Sequence, residues 1–390
     1  MAVSTIRSDK NSFSTALIYF LGILGIALIV FFGGGLITGG FGGKGVLSVQ
    51  VTNGTAQILV DGKVLGDTPL ESNNIKPGTN TIIIKNSTQQ YQTSIKFLPA
   101  KKGVSFAVGI VRDLGVSDLF SSGQEFWFDK GSPQDTLKII SDPSGATVYI
   151  DGAEIGKTPF SSSAITTGDY EIKITLAGYE TQTSRINIQK GYTLNGSIKM
   201  FPYPISPTVA AFAGSPNLYD GTLDNLDITS DTQNWVKGLL YWNQTRGISI
   251  DNIGLNKGKV FDYYIDYKGN IFDSEGTILG TAQNLEKLKG ATRGLYLGRA
   301  SDGVGLTKEA KDALTSLSQI GVTSQIETIK NTGTGWLRVR SIAGLSGTEV
   351  ARATTGTKYP VLGTVAGWIE IKVSDTISGW VSADYVTLSE

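Results

Sequence analysis

The longest uninterrupted apolar stretch of the chain runs from Thr15 to Ile37 and contains no charged residue. As a helix it is long enough to cross about 30 Å of hydrocarbon, so we expect a single-pass transmembrane helix. A cleaved signal peptide is the alternative, but its apolar region is shorter and ends at a small-residue cleavage site, unlike Phe31-Phe32. Arg7 and Lys10 precede the run, which predicts a cytoplasmic N-terminus and an exported body.

A repeated pattern of alternating apolar and polar residues follows the glycine-rich spacer 38–45. Residues 56–69 read AQILVDGKVLGDTP, and residues 146–159, at an offset of 90 residues, read ATVYIDGAEIGKTP. In each copy an Asp-Gly pair separates two short alternating runs, which is a strong signal for a tight β-hairpin. Asp61 and Asp151 are therefore interpreted as turn residues. The pattern predicts two small antiparallel β-sandwich domains.

Aromatic and proline residues mark the segments that border the second copy. Between the copies, Phe120, Phe126, Trp127 and Phe128 predict a connector that carries a strand and packs against a sheet. After the second copy, residues 202–217 contain four prolines, and proline stiffens a segment by fixing φ. We expect a linker there and the clearest domain boundary of the chain.

The middle segment, residues 218–327, mixes strand and helix patterns. A strand, a Lys-Gly-Asn turn and a second strand are predicted over 260–272, with further strands at 239–245 and 294–298. Thr307 is the expected N-cap of a helix with Ala310, Ala313 and Leu314 at helical spacing. This segment is predicted to be an α/β domain.

The C-terminal segment, residues 328–390, carries short alternating strands at close spacing, which predicts a small barrel. A barrel of this size cannot bury five large aromatic side chains completely, so part of the set is expected to line an exposed groove. These groove candidates are Trp336, Tyr359, Trp368, Trp380 and Tyr385.

Composition excludes several kinds of chemistry. Lys+Arg and Asp+Glu both number 34, so the formal charge is zero and nothing favours nucleic acid as a partner. Histidine and cysteine are absent, which excludes Ser-His-Asp and Cys-His catalysis and a catalytic zinc site of the usual ligands. No cofactor or metal site is predicted. Paired carboxylates remain an enzymatic alternative, with candidates Asp262, Asp266, Asp273 and Glu275.

Three segments resemble known families. The second copy, with its V-x-I-D-G-x-x-x-G-x-T-P pattern and Gly178-Tyr179, closely resembles the PEGA domain, and the first copy is a more divergent version. The resemblance implies an exported surface protein whose PEGA domains bind or act as spacers. The succession L-R-V-R, G-W-I-E-I and G-W-V-S-A-D-Y after residue 335 resembles the bacterial SH3-like domain, which implies binding of cell-wall peptide or glycan.

The order of patterns in 218–327 resembles the zinc-dependent N-acetylmuramoyl-L-alanine amidase. Trp242 and Asn243 stand where that family has a metal-binding histidine, and Ile265-Asp266 matches its hairpin. The resemblance implies a degenerate amidase domain that keeps a groove for peptidoglycan. Candidates for that groove are Trp242, Asn243 and Asp262.

The sequence therefore predicts a mainly β, non-catalytic envelope protein, anchored in the bilayer, that binds peptidoglycan through its C-terminal modules. A carboxylate-dependent wall hydrolase and a stalk that binds a surface protein are the alternatives. The expected divisions are a cytoplasmic tail (1–14), a transmembrane helix (15–37), a spacer (38–45), a first PEGA-like domain (46–111), a connector (112–135), a second PEGA-like domain (136–201), a linker (202–217), a degenerate amidase-like domain (218–327) and an SH3-like domain (328–390).

Overall fold

A computed structural model describes residues 43–388 except 102–105, 131–135, 207–208, 213–214, 247–260, 281, 290, 320–325, 366 and 375–376. The chain divides into two compact units, one ending at Tyr203 and the other beginning at Pro204. The predicted transmembrane helix lies outside the described residues. Within the described part of the chain, no helix has the length and apolar character needed to cross a membrane.

The regular structure among the described residues of the first unit consists of β-strands. Their bounds are β1 Gly45–Val51, β2 Gln57–Val60, β3 Lys63–Asp67, β4 Leu70–Ile75, β5 Gly78–Lys85, β6 Gln90–Phe97, β7 Val108–Asp113, β8 Ser122–Lys130, β9 Thr136–Asp142, β10 Thr147–Ile150, β11 Ala153–Lys157, β12 Phe160–Ser162, β13 Gly168–Thr175, β14 Gln182–Ile188 and β15 Tyr192–Lys199.

The sequence repeat is a structural repeat. The predicted hairpins are present, with Asp61 at φ +47° and Asp151 at φ +46° in the turns between β2 and β3 and between β10 and β11. Each copy forms an antiparallel four-stranded sheet, ordered β3-β2-β5-β6 in the first and β11-β10-β13-β14 in the second. In both, the last strand pairs in parallel with the first, β7 with β1 and β15 with β9. The hairpin prediction is confirmed.

The two copies are joined, because strands of both belong to one seven-stranded sheet. Its order is β12-β9-β15-β8-β7-β1-β4. Strand β8 lies at the centre and pairs antiparallel with β7 on one side and with β15 on the other. Outward from β8, the first copy contributes β7, β1 and β4, and the second copy contributes the equivalent strands β15, β9 and β12. Equivalent strands also run in the same direction, so an approximate two-fold axis along β8 relates the copies. The strand predicted between the copies is present as β8, and it is the central strand of the shared sheet.

The two-fold relation places the four-stranded sheets on opposite faces of the shared sheet. Trp127 packs on the core of the first copy, whereas its neighbours Phe126 and Phe128 belong to the core of the second. Successive residues of a strand point to opposite faces, so a single strand completes both cores. Burial on both faces explains why three consecutive aromatic residues occur in β8.

The second unit contains strands and helices. Its strands are β16 Ala210–Phe212, β17 Ser215–Asp220, β18 Tyr263–Asp266, β19 Ile271–Asp273, β20 Gly294–Leu297, β21 Ile326–Ile329, β22 Trp336–Arg340, β23 Glu349–Thr354, β24 Lys358–Val365, β25 Trp368–Lys372, β26 Ser378–Ser382 and β27 Val386–Leu388, and its helices are α1 Leu226–Thr229, α2 Thr232–Arg246, α3 Ala282–Leu285 and α4 Lys308–Gln319. Short 3-10 turns span Glu286–Leu288, Ala300–Asp302 and Ala383–Tyr385.

The middle segment forms a five-stranded mixed sheet with order β16-β17-β20-β18-β19. The predicted hairpin β18–β19 and strand β20 are present, and Thr307 caps α4 by accepting a hydrogen bond from the Ala310 N–H at 3.2 Å. The strand predicted over 239–245 is wrong, because these residues belong to α2. Trp235, Leu239 and Trp242 recur at helical spacing and are buried, so packing favours a helix there.

The C-terminal segment forms a curled seven-stranded sheet with order β23-β22-β26-β25-β24-β21-β27. Its core contains Val339, Ile369, Ile371 and Val381. The described part of the chain is mainly β, built from several small sheets, as expected.

Candidate functional site

The outer face of the C-terminal sheet carries three of the predicted aromatic residues. Along β25 and β26, buried residues of the core alternate with partly exposed ones, so the alternate side chains point away from the core. Trp368 and Trp380 occupy such outward positions, and Trp336 begins β22 and is partly exposed. We call this surface, formed by the neighbouring strands β23, β22, β26 and β25, the outer face.

Trp368 and Trp380 are diagonal neighbours on the outer face. Trp368 lies opposite Ser382, two residues beyond Trp380 on the paired strand. Trp380 lies opposite Glu370 on one side and opposite Arg340 on the other. Diagonal positions of paired strands are about 7–8 Å apart, within reach of large side chains, and we call these two positions the aromatic area.

Trp336 is already engaged within the chain. The guanidinium carbon of Arg352 lies 3.9 Å from the centre of its ring, a cation–π contact. Arg352 and Arg338 both donate to the carboxylate of Glu349, at 2.7 Å and 2.8 Å. The hydrogen bond from Arg352, more than any other influence, lowers the pKa of Glu349. This network leaves Trp336 less available to a ligand than Trp368 and Trp380.

The two predicted tyrosines have different roles. Tyr359 is buried in the core, and its hydroxyl accepts a hydrogen bond from the Thr354 N–H at 2.8 Å. Its assignment to an exposed groove is therefore wrong. Tyr385 is 48% exposed and lies on the 3-10 turn after β26.

Glu370 stands beside Trp380 on the outer face and is half-buried. This burial raises the pKa of its carboxyl group, against smaller opposing effects of the Ser378 hydroxyl and the Lys311 charge. Ser378 is the hydrogen-bond partner, at 3.5 Å. The aromatic area is thus bordered by a carboxylate on one strand and by arginines on another.

The groove candidates of the middle segment do not form a surface. Trp242 and Asn243 are both buried on α2, with 3% and 1% exposure. Asp262 accepts hydrogen bonds from the backbone N–H groups of Thr292 and Arg293, at 2.9 Å and 2.8 Å. Trp242 and Asn243 therefore belong to the packed interior, and Asp262 holds the loop at Thr292 and Arg293 in place.

The carboxylates proposed for a hydrolase are also occupied by structural contacts. Asp266 is fully buried, and it accepts hydrogen bonds from Thr232 Oγ1 at 2.6 Å, from the N–H groups of Lys268 and Asn270, and from the Asn270 amide. Asp273 caps the next turn through Glu275 and Thr277. Among the residues described, no group of three or more acidic side chains is placed to hold a metal ion.

The charged residues of the outer face were not identified from the sequence. Arg338, Arg352, Glu349 and Glu370 lie near the tryptophans because strands distant in sequence pair with one another. The alternation in Trp336–Arg340 assigns Arg338 to the outer face, but it does not reveal the partner on β23.

Two family models match parts of the chain. The model described as PEGA domain matches residues 134–202. The model described as bacterial SH3 domain matches residues 335–387, which contain the outer face. A search of curated proteins found no significant match. The chain thus carries a PEGA domain in its first unit and a bacterial SH3 domain in its second.

Proposed function

We propose that this protein is a membrane-anchored, non-catalytic envelope protein that binds peptidoglycan through the outer face of its C-terminal domain. The observation that carries the proposal is the match to the bacterial SH3 domain over residues 335–387. The matched residues include Trp368 and Trp380, which are diagonal neighbours on paired strands, and Glu370 and Arg340 lie opposite Trp380. Flat aromatic surface suits sugar rings and peptide, and the charges suit the carboxylates and amines of wall peptides.

The first unit supports a display role. The PEGA domain at 134–202 is of a surface type, and the first copy repeats its hairpin, its turn conformation and its sheet order. We propose that the two copies are tandem PEGA domains. The apolar stretch 15–37 supports the anchor, with the N-terminus in the cytoplasm. Fractionation of cells that express the full chain tests the anchor, and recovery in the soluble fraction would contradict it.

Binding is tested by co-sedimentation of the detergent-solubilised full chain with purified, insoluble peptidoglycan. We expect retention of the protein, and we expect Trp368→Ala and Trp380→Ala to reduce it strongly, because each removes part of the aromatic area. Tyr149→Ala is the matched control, since Tyr149 is a partly exposed aromatic of the first unit that contacts Lys173. Equal retention of all variants would contradict the assigned face, and no retention of the parent protein would contradict the proposal.

The absence of catalysis is part of the proposal and is supported by the engagement of Asp262 and Asp266 with backbone and side-chain donors. The same incubation with peptidoglycan, followed by assay of released soluble fragments, tests it. Wall-lytic activity of the parent protein that is lost in Asp262→Asn would instead favour the hydrolase. The amidase resemblance of 218–327 stays a prediction.

A stalk of a surface assembly is the second candidate. The observation that favours it is the fusion of the two copies into one continuous sheet, which suits a stiff spacer. Here the C-terminal domain would contact a surface protein. Retention on intact cell envelopes together with none on purified peptidoglycan would favour this function.

A further inference from the structure

The chain enters the first unit at one end of the shared sheet, along the strand direction, and leaves it at the other end. The chain enters at Lys44, which directly precedes β1, and leaves through Phe201 and Tyr203 after β15. Strand β1 runs parallel to β7, and β7 and β15 are both antiparallel to β8. Strands β1 and β15 therefore point in the same direction, and the entry and the exit lie at opposite ends of the shared sheet.

This topology determines how the unit responds to tension. A pull that separates Lys44 from Tyr203 draws β1 backwards and β15 forwards along the strand direction. The hydrogen bonds of the antiparallel pairs β7–β8 and β8–β15 lie across that direction, and those of the parallel pair β1–β7 are slanted to it. The bonds within each pair are therefore loaded together. A pull at the same end of two strands would instead break such bonds one after another.

The strand pairs on this path differ in length. β8 and β15 pair over eight residues, from Tyr192↔Lys130 to Lys199↔Gly123. β1 and β7 pair over five residues, as do β7 and β8, from Gly109↔Phe126 to Asp113↔Ser122. The shorter pairs are the weaker parts of the path.

A buried polar cluster spans one of these shorter pairs. Glu125 of β8 accepts hydrogen bonds from the Tyr91 hydroxyl and, at 3.1 Å, from Thr93 Oγ1, both of β6. Arg112 of β7 is 4% exposed, and its guanidinium carbon lies 3.6 Å from the centre of the Tyr91 ring. The cluster therefore connects β7, β8 and β6. Burial lowers the pKa of Arg112 and, together with Glu125, raises that of Tyr91.

Gly123 makes the cluster possible. It lies opposite Arg112 on β8, and a Cβ atom at this residue would approach Arg112 Cδ to 2.4 Å and the Val111 carbonyl oxygen to 2.6 Å. The first of these distances involves a side chain and the second a backbone atom, so the sheet would have to shift. A glycine here lets the arginine lie flat across the strand pair.

We propose that residues 45–201 form a load-bearing tether whose terminal strands are loaded in shear, with the cluster of Arg112, Glu125, Tyr91 and Thr93 securing the short β7–β8 pair. This rests on the proposed function, because an anchor at one end and wall contact at the other put the first unit under tension.

Single-molecule force spectroscopy on the full chain tests the tether. The sequence has no cysteine, so two introduced cysteines are the only thiol attachment sites. Attachment through Lys44→Cys and Tyr203→Cys gives the shear geometry. Attachment through Lys44→Cys and Lys130→Cys is the comparison, because the start of β1 and the end of β8 lie at the same end of the sheet. In that geometry the hydrogen bonds of the β1–β7 and β7–β8 pairs are loaded one after another. We expect a several-fold higher unfolding force for the shear pair, because forced unfolding follows the unfolding barrier. An equal or lower force for the shear pair would overturn the proposal.

The cluster is tested in the shear geometry with Glu125→Gln. Loss of the carboxylate weakens the hydrogen bonds from Tyr91 and Thr93 and removes one of the negative charges near buried Arg112, so we expect a lower unfolding force. Glu71→Gln is the matched control, since Glu71 is exposed on edge strand β4, outside the loaded path. A force unchanged by Glu125→Gln, or lowered equally by Glu71→Gln, would refute the role of the cluster. The measurement involves neither membrane nor peptidoglycan, so its failure is distinguishable from failure of the proposed binding.

Discussion

The carboxylate of Asp151 accepts a hydrogen bond from the backbone N–H of Glu171 at 2.8 Å. The first copy has the same bond from Thr81 to Asp61, at 2.9 Å. Each aspartate thereby connects its hairpin turn to the neighbouring strand, β13 or β5. The repeated aspartates of the sequence therefore support the turn and also its attachment to the sheet.

The aspartate of the second hairpin should contribute measurably to stability. We expect Asp151→Ala to lower the free energy of unfolding of the second copy by about 1–2 kcal/mol, because a hydrogen bond is lost and alanine disfavours positive φ. Hydrogen exchange of β10 and β13 amides measures this in the full chain. Asp151→Asn keeps an acceptor and tolerates the turn, so it should change stability less. Equal losses in both variants would contradict this reasoning.

The alternating side chains of β8 should separate the two cores. Phe126→Ala is expected to destabilise the second copy by about 3 kcal/mol, because it leaves a cavity in a fully packed core. Trp127→Ala should act first on the first copy, on which Trp127 packs. Amide hydrogen exchange distinguishes the two effects, because β13 amides report on the second copy and β5 amides report on the first. If both variants weaken the same copy, the opposite-face arrangement is incorrect.

Asp266 is expected to act as a structural residue of the middle segment. Asp266→Asn places an amide group among several hydrogen-bond donors in the interior, which should cost about 2 kcal/mol or more. Denaturant unfolding followed by tryptophan fluorescence measures the change, since Trp235 and Trp242 lie on the adjacent helix α2. Asp312→Asn, at an exposed ion pair with Lys308, is the control and should stay within about 0.5 kcal/mol.

The two glutamates of the outer face should respond to pH with opposite signs. Burial raises the pKa of Glu370, so its stabilising contribution is complete below the unfolded pKa of about 4.3 and is lost as pH rises through the folded pKa. Glu370→Gln should therefore increase the thermal stability of the C-terminal domain near pH 7. The increase is modest, because solvent screens a half-exposed group, and it should vanish at acidic pH.

Glu349 provides the matched comparison. The arginines lower its pKa, so its contribution is present above the unfolded pKa and is lost as pH falls through the folded pKa. Glu349→Gln should reduce thermal stability near pH 7 and have little effect in acid. Thermal unfolding of both variants across this pH range checks the signs. A stabilising Glu349→Gln at neutral pH would show that the arginine network is not formed in solution.

Much of the local structure could be predicted because its signals are short-range. The Asp-Gly turns, the hairpin 263–273 and the cap at Thr307 depend on residues a few positions apart, and turn geometry selects those residue types. The strand assigned to 239–245 shows the limit. A brief apolar run fits a strand or a buried helix equally well, and the burial of Trp235, four residues before Leu239, decides for the helix.

The sequence by itself determined the repeat, the hairpins, the alternation that directs Trp368 and Trp380 outward, and the absence of histidine and cysteine chemistry. These properties follow from local backbone preference and from composition. Only the tertiary structure decided that β8 joins both copies, that Tyr359 belongs to a core, and that Arg112 lies over the Tyr91 ring. Each of these depends on which distant strands pair, and a local residue pattern does not specify its partner across the sheet.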